Sequence, residues 1–209
     1  MSSPAIAAGE PLATTAGDRP YALARPLGWW GVVGLIATEA TLFGLLLFVN
    51  FYLRANADAW PLGDIADPEL VKSGIRSVIL VGSSVPVALA ERAQRRGHQR
   101  AFRRWLGVTL ALAAVFLAGH VEEYVTLWSE FRPDTNAYGS VFYTITGLHA
   151  LHLVVGMAVL TYLLVQSARG RYDGVPEPHG VSAGILYWHF VDAVWIAVYT
   201  SLYLSVTLS

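Results

Sequence analysis

Five long apolar stretches determine what this chain can fold into. They lie at about residues 28–53, 74–92, 105–128, 141–166 and 183–206. Each is close to the ~20 residues that an α-helix needs to cross about 30 Å of hydrocarbon. Backbone polar groups in lipid must bond within their own segment unless strands close into a barrel, and these stretches lack the alternation of a barrel strand. The sequence therefore predicts an all-α, polytopic membrane bundle of five transmembrane helices.

The composition agrees with a membrane protein and excludes several functions. The 209 residues are 55% hydrophobic and 14% charged, whereas soluble domains are about a quarter charged. A net charge of −1 argues against nucleic-acid binding through a basic surface. The sequence contains no cysteine, which excludes a disulfide, a Cys-ligated iron–sulfur cluster, a Cys-linked haem c and a Cys-bridged copper centre.

Charge in the connections predicts the orientation. Six arginines lie within residues 92–104, after the second span, and cytoplasmic connections collect such charge. With this connection inside, ten of the 14 basic residues and the N-terminus are cytoplasmic, and the C-terminus lies on the outer face. Residues 1–27 are predicted to be a disordered cytoplasmic tail because they are small and polar and lack the pattern of a signal peptide. The transmembrane domain is then residues 28–209.

Several ionisable side chains are predicted inside the spans, where a charge costs about 2.5–3.5 kcal/mol at the bilayer centre. A central layer contains Glu39 of span one, His149 and His152 of span four, and His189 and Asp192 of span five, while His120 and Glu123 lie nearer the outer end of span three. We expect hydrogen-bonded links between helices, for example from Glu39 to a span-four imidazole. The alternative is a proton-conducting or cofactor-binding cluster that faces a partner.

The second span differs from the others in its local chemistry. Pro86 lacks a backbone N–H, which predicts a kink and a freed carbonyl group. Ser77, Ser83 and Ser84 are predicted to serve close helix packing in this span.

Two other function classes stay open on the residues alone. His149 and His152 share a helix face, so a small b-type cytochrome using His149, His152, His189 and His120 is one alternative. A proton-coupled transporter would require an inverted repeat, and the first and last spans resemble each other only in being apolar.

Five motifs, in order along the chain, resemble subunit III of the haem–copper oxidases. They are TEATLF at 38–43, VGSS at 81–84, HVEEY at 120–124, YGSVFYTITGLHALH at 138–152 and YWHFVDAVW at 187–195. The resemblance covers about residues 28–206. Glu39 matches the intramembrane glutamate of that family, whereas His120 stands where the family usually has glutamine.

The resemblance implies a subunit III of a respiratory terminal oxidase that reduces O₂ to water and pumps protons. It implies a cytochrome c oxidase, with a quinol oxidase or a nitric-oxide-reductase-associated homologue as alternatives. This chain would hold no catalytic residue, metal or cofactor, since haem and copper belong to the partner subunits.

The family also implies where such a chain works and what it contacts. It would pack against catalytic subunit I, with subunit II and small subunits nearby, in the bacterial inner membrane, where it would bind phospholipid and support proton uptake. Long members have seven spans, and the five spans here match the last five. Additional helices of the catalytic subunit are expected to replace the other two.

Overall fold

The structure is a computed structural model that describes residues 27–62, 70–175 and 178–205. The described helices are α1 (Leu27–Ala55), α2 (Leu70–Gly82), α3 (Ser84–Arg95), α4 (Gln99–Leu127), α5 (Ala137–Ala168) and α6 (His179–Tyr199), with a π-helical turn at Thr200–Leu204. Helices α2 and α3 form one span and the π-helical turn extends α6, so five helices are long and apolar enough to cross a membrane. The predicted all-α, five-helix bundle is confirmed. The predicted tail lies outside the described residues, apart from Leu27, which begins α1.

The helices extend beyond most of the predicted spans. Helix α4 begins at Gln99 instead of about residue 105, and α5 covers 137–168 instead of about 141–166. Apolar runs mark the part of a helix that lies in hydrocarbon, whereas helical structure continues until a cap ends it. At the start of α5, the Oδ1 atom of Asn136 accepts a 2.9 Å hydrogen bond from the backbone N–H of Gly139.

The kink predicted from Pro86 separates α2 from α3 at Ser83. Because Pro86 has no N–H, it cannot donate to the carbonyl of Gly82 four residues earlier. Before the break, the N–H of Ser83 donates to the carbonyl of Leu80, three residues earlier, at 2.9 Å. The break leaves the side chains of Ser83 and Ser84 in hydrogen bonds with α6.

Helix α6 lies in the centre of the bundle and α1 at its edge. The most apolar window of α6 is 61% buried, against 6% for that of α1. Two tryptophans of α6 donate to serines of the second span: Trp188 Nε1 to Ser83 Oγ and Trp195 Nε1 to Ser77 Oγ, both at 3.0 Å. The packing role predicted for these serines thus consists of specific hydrogen bonds.

Two connections meet at one end of the bundle, which we call the arginine end because residues 92–104 and 169–171 carry its arginines. Gly97 has φ +73° between α3 and α4, a backbone conformation that glycine adopts without a steric penalty. Gln99 joins the two connections: its Nε2 atom donates to Gln94 Oε1 at 3.0 Å and to the carbonyl of Tyr172 at 3.2 Å, and its Oε1 atom accepts from Ser167 Oγ at 2.9 Å.

Candidate functional site

Glu39 of α1 and His152 of α5 form a half-buried contact between the two helices. The Oε2 atom of Glu39 lies 3.0 Å from Nε2 of His152. The other ring nitrogen, Nδ1, lies 2.7 Å from the carbonyl oxygen of Leu148. The sequence predicted a partner for Glu39 among the span-four histidines, and the structure places His152 in that position.

The hydrogen bonds of His152 determine how many protons the pair holds. A carbonyl oxygen only accepts, so Nδ1 must be the donor to Leu148. The contact between Nε2 and Glu39 then needs one further proton, carried either by an imidazolium facing a carboxylate or by a carboxylic acid facing a neutral imidazole. Because the pair is neutral as a whole in both arrangements, it avoids the cost of an isolated charge in hydrocarbon.

Asp192 and His189 of α6 meet Ser84 where α3 begins. The hydroxyl of Ser84 is hydrogen-bonded to Oδ2 of Asp192, and its Oγ atom lies 3.3 Å from Nδ1 of His189. Asp192 is 3% exposed, whereas His189 is half-buried. The second carboxyl oxygen, Oδ1, has no hydrogen-bond partner within the described part of the chain. The sequence predicted a packing role for Ser84 but not its contact with both ionisable residues.

His149 and His120 are both packed around Trp195. The ring centroid of Trp195 lies 4.8 Å from that of His149 and 5.9 Å from that of His120. Both histidines are buried, at 0% and 2% exposure. Neither ring nitrogen of either residue has a hydrogen-bond partner among residues 27–62, 70–175 and 178–205.

Glu123 of α4 is the centre of a largely buried ionic group near the end of the bundle opposite the arginine end. Its Oε1 atom lies 2.6 Å from Nη2 of Arg76, and its Oε2 atom accepts a 3.1 Å hydrogen bond from the hydroxyl of Tyr203. Arg76 also donates to the carbonyl of Gly119 at 3.0 Å. Arg76 lies within α2, and its pairing with Glu123 was not predicted from the sequence.

Hydrogen bonds and ion pairs therefore divide the predicted polar residues into separate groups. Glu39 pairs with His152, Ser84 links His189 and Asp192, and Glu123 pairs with Arg76, with His120 Nδ1 at 3.5 Å from its Oε2 atom. In the described ranges, no group of three or more His, Cys, Asp or Glu side chains is arranged to hold a metal ion. His149 and His152 have different surroundings, so joint ligation of a haem would break both the Trp195 and the Glu39 contacts.

An apolar groove leads from the arginine end toward the Glu39–His152 pair. Its volume is about 480 Å³, and it lies between α1, α5 and α6. Its lining residues are almost all apolar: Gly28, Trp29, Val32, Leu35, Val155, Val159, Tyr162, Leu163, Gly180, Ala183, Gly184 and Tyr187. The groove ends one helical turn before Glu39 on α1 and one turn after His152 on α5.

Comparison with known proteins identifies the family. A sequence model of the family described as cytochrome c oxidase subunit III matches residues 11–206. The chain belongs to the cytochrome c oxidase subunit III family. It is 34% identical over 178 residues to a Synechocystis protein named cytochrome c oxidase subunit 3, an alignment that covers 85% of this chain and 76% of that protein. The protein of the same name from Thermostichus vulcanus is 33% identical over 174 residues, which cover 83% of this chain and 85% of the relative.

Family membership confirms the resemblance drawn from the five motifs. As a subunit III, this chain is part of a terminal oxidase complex with other oxidase subunits, and its five apolar helices make it a multi-pass membrane protein. The motif residues are the ones that make the interior contacts described above, since Glu39, Ser84, Glu123, His152 and Asp192 each come from a different motif.

Proposed function

We propose that this chain is a non-catalytic subunit of a proton-pumping cytochrome c oxidase in the bacterial inner membrane. It packs against the catalytic subunit, binds phospholipid, and supports proton uptake and durability of the complex without a redox centre of its own. Haem and copper are held by the catalytic subunit and by subunit II. Membership in the subunit III family is the observation that carries this proposal.

The groove between α1, α5 and α6 is the proposed lipid site, and an acyl chain of a phospholipid is its occupant. The lining is almost all apolar, so it offers contacts that suit hydrocarbon. The groove begins at the arginine end, where exposed arginines such as Arg100 and Arg104 provide positive charge for anionic headgroups.

The Glu39–His152 pair supports durability by fixing α1 to the rest of the bundle. Helix α1 packs only on α5 and α6 to any extent in the described chain, and its most apolar window is 6% buried. A hydrogen bond between ionisable groups at this depth favours one register of α1 on α5, because any other register leaves both groups unpaired in hydrocarbon.

Purification in mild detergent through a tag on this chain tests the assignment to an oxidase complex. We expect a histidine-rich catalytic subunit that contains haem and copper to be recovered with it. Recovery of the chain alone, or a pure chain that itself absorbs visible light as a haem protein does, would contradict the proposal.

Adjacent valines of α1 provide a matched test of the lipid site. Val32 lines the groove and Val33 does not, although both are half-buried. In the purified oxidase, Val32→Trp fills the groove and lowers the number of retained phospholipids counted by mass spectrometry, whereas Val33→Trp leaves that number unchanged. Equal lipid content in the two variants would exclude the groove as the lipid site.

Turnover before inactivation tests the role of Glu39. We expect Glu39→Gln to shorten the active lifetime of the oxidase during sustained turnover, because the amide cannot share a proton with His152 as the carboxyl group does. Glu122→Gln is the control, since Glu122 is exposed on α4. Unchanged assembly, lipid content and lifetime in Glu39→Gln would refute the role of this pair.

A further inference from the structure

The contact of Ser84 with Asp192 and His189 links a buried carboxyl group to a half-buried imidazole through a single hydroxyl. Asp192 is 3% exposed, and its Oδ1 atom has no partner in the described chain. Among the described residues, the carboxyl group of Asp192 is therefore hydrogen-bonded to Ser84 alone. His189 is half-buried, and its Nε2 atom has no hydrogen bond to any described residue.

A serine hydroxyl has one proton to donate, and this fixes the direction of every bond in the chain. When Asp192 is ionised, Ser84 donates to Oδ2, so His189 must donate its Nδ1 proton to Ser84 and Nε2 carries a lone pair. When Asp192 is protonated, the acid donates to Ser84, Ser84 donates to Nδ1, and Nε2 carries the proton. Both arrangements satisfy the same three heavy-atom positions.

We infer that Asp192 is a proton-binding site in the membrane interior that exchanges its proton with the bundle surface through Ser84 and His189. A proton from water binds at Nε2 of His189, the Nδ1 proton moves to Oγ of Ser84, and the hydroxyl proton of Ser84 moves to Oδ2 of Asp192. One proton enters and the carboxyl group gains one proton, so the step is balanced. Release is the reverse, and no heavy atom has to change place.

The path from His189 through Ser84 to Asp192, which we call the relay, lies apart from the other charged and titratable groups. Along the second span, the nearest charged residues are Arg76 and Glu91, eight positions before and seven after Ser84, or about 10–12 Å along the helix axis. The titratable groups that face α6 from other helices make contacts outside the relay. These are Glu39 with His152, His149 and His120 around Trp195, and Glu123 with Tyr203.

Infrared spectroscopy of the full chain in phospholipid bilayers tests the relay directly. With carboxyl-labelled aspartate, the C=O band of a protonated Asp192 is separated from glutamate bands, and Asp192 is the one aspartate within the described helices. Transfer into D₂O shifts this band at the rate at which the proton exchanges. We expect Ser84→Ala to slow the exchange about tenfold or more, since exchange would then require local opening of the helix packing. His189→Phe is expected to slow it as well.

Ser83→Ala is the matched control because Ser83 adjoins Ser84 and bonds to the same helix through Trp188. It removes the hydrogen bond from Trp188 of α6 and leaves the relay intact, so we expect proton exchange at the wild-type rate. Equal thermal midpoints show that both alanine variants are folded. Equally fast exchange in Ser84→Ala and Ser83→Ala would overturn the inference. So would the lack of any labelled C=O band across the pH range in which the chain is folded. The isotope label assigns the band to aspartate, so the assignment does not require that an Asp192→Asn variant folds. The outcome concerns this chain alone, so it is independent of its recovery with an oxidase.

Discussion

Removal of Arg76 from its contact with Glu123 is expected to destabilise the bundle strongly. The two side chains are 15% and 11% exposed and 2.6 Å apart. Arg76→Met leaves a largely buried carboxylate whose remaining described partners are the hydroxyl of Tyr203, at 3.1 Å, and Nδ1 of His120, at 3.5 Å. Breaking a buried pair from one side costs about 3–5 kcal/mol. For a chain of about this length, such a loss lowers the thermal midpoint by roughly 6–20 °C.

A double variant separates the cost of an unpaired carboxylate from the loss of the other contacts of Arg76. Arg76→Met combined with Glu123→Gln removes both charges, so the uncompensated carboxylate is gone. What remains is the loss of the hydrogen bond from Arg76 to the carbonyl of Gly119, worth about 1 kcal/mol. The double variant is therefore expected to be more stable than Arg76→Met alone, by about 2–4 kcal/mol.

The assay is the thermal midpoint of the purified full chain in one detergent, followed by tryptophan fluorescence. The contact between Arg95 and Glu91 is the control: its 3.1 Å distance is comparable, but the side chains are 48% and 30% exposed. Breaking this i,i+4 pair with Glu91→Gln should cost less than about 0.5 kcal/mol. If Arg76→Met proves no less stable than the double variant, the reasoning from burial is refuted.

Two further substitutions test the packing of α5 on α6 and the contacts of Gln99 at the start of α4. Gly156→Ala places a Cβ atom 3.1 Å from the ring of the fully buried Trp188, whereas the Cβ atom of Gly44→Ala meets nothing within 4 Å. Gly156→Ala should lower the free energy of unfolding by about 1–3 kcal/mol, measured by thermal unfolding, and Gly44→Ala should not lower it. Gln99→Leu removes the two hydrogen bonds, to Tyr172 and from Ser167, that join the two connections at the arginine end. It should make the arginines after α5 more sensitive to trypsin, and unchanged cleavage would show that Gln99 does not hold that connection.

The five helices and the partner of Glu39 were predictable because both follow from the cost of polar groups in hydrocarbon. The backbone must be helical in lipid, which fixes the number of spans from the apolar runs. A carboxyl group at the same depth as two imidazoles is expected to pair with one of them. The sequence did not distinguish His149 from His152, since they lie on one helix face. The choice follows from tertiary packing, because Trp195 covers His149.

The contacts of Arg76 and Ser84 were not predictable from local patterns. Arg76 lies near the start of a span, where a charge usually reaches solvent, and its partner Glu123 is 47 positions further along the chain. Ser84 lies in a short polar break whose usual role in membrane helices is close packing. The position of the break relative to α6, which depends on Pro86, brings its hydroxyl to Asp192. Such long-range pairings depend on the rotation of each helix about its axis, which apolar periodicity leaves undefined in helices that are apolar on all sides.

The separation of the polar groups has a consequence for how this subunit can respond to its surroundings. Glu39 and His152 satisfy each other as a neutral pair, and Glu123 is matched by Arg76, so neither group requires a change in proton content to remain stable in the bundle. Within the described residues, Asp192 is hydrogen-bonded to the hydroxyl of Ser84, and the imidazole of His189 lies beyond that hydroxyl. If α6 of the assembled oxidase contacts the catalytic subunit beside His189, the proposed relay gives a change of charge at that contact a hydrogen-bonded route to Asp192.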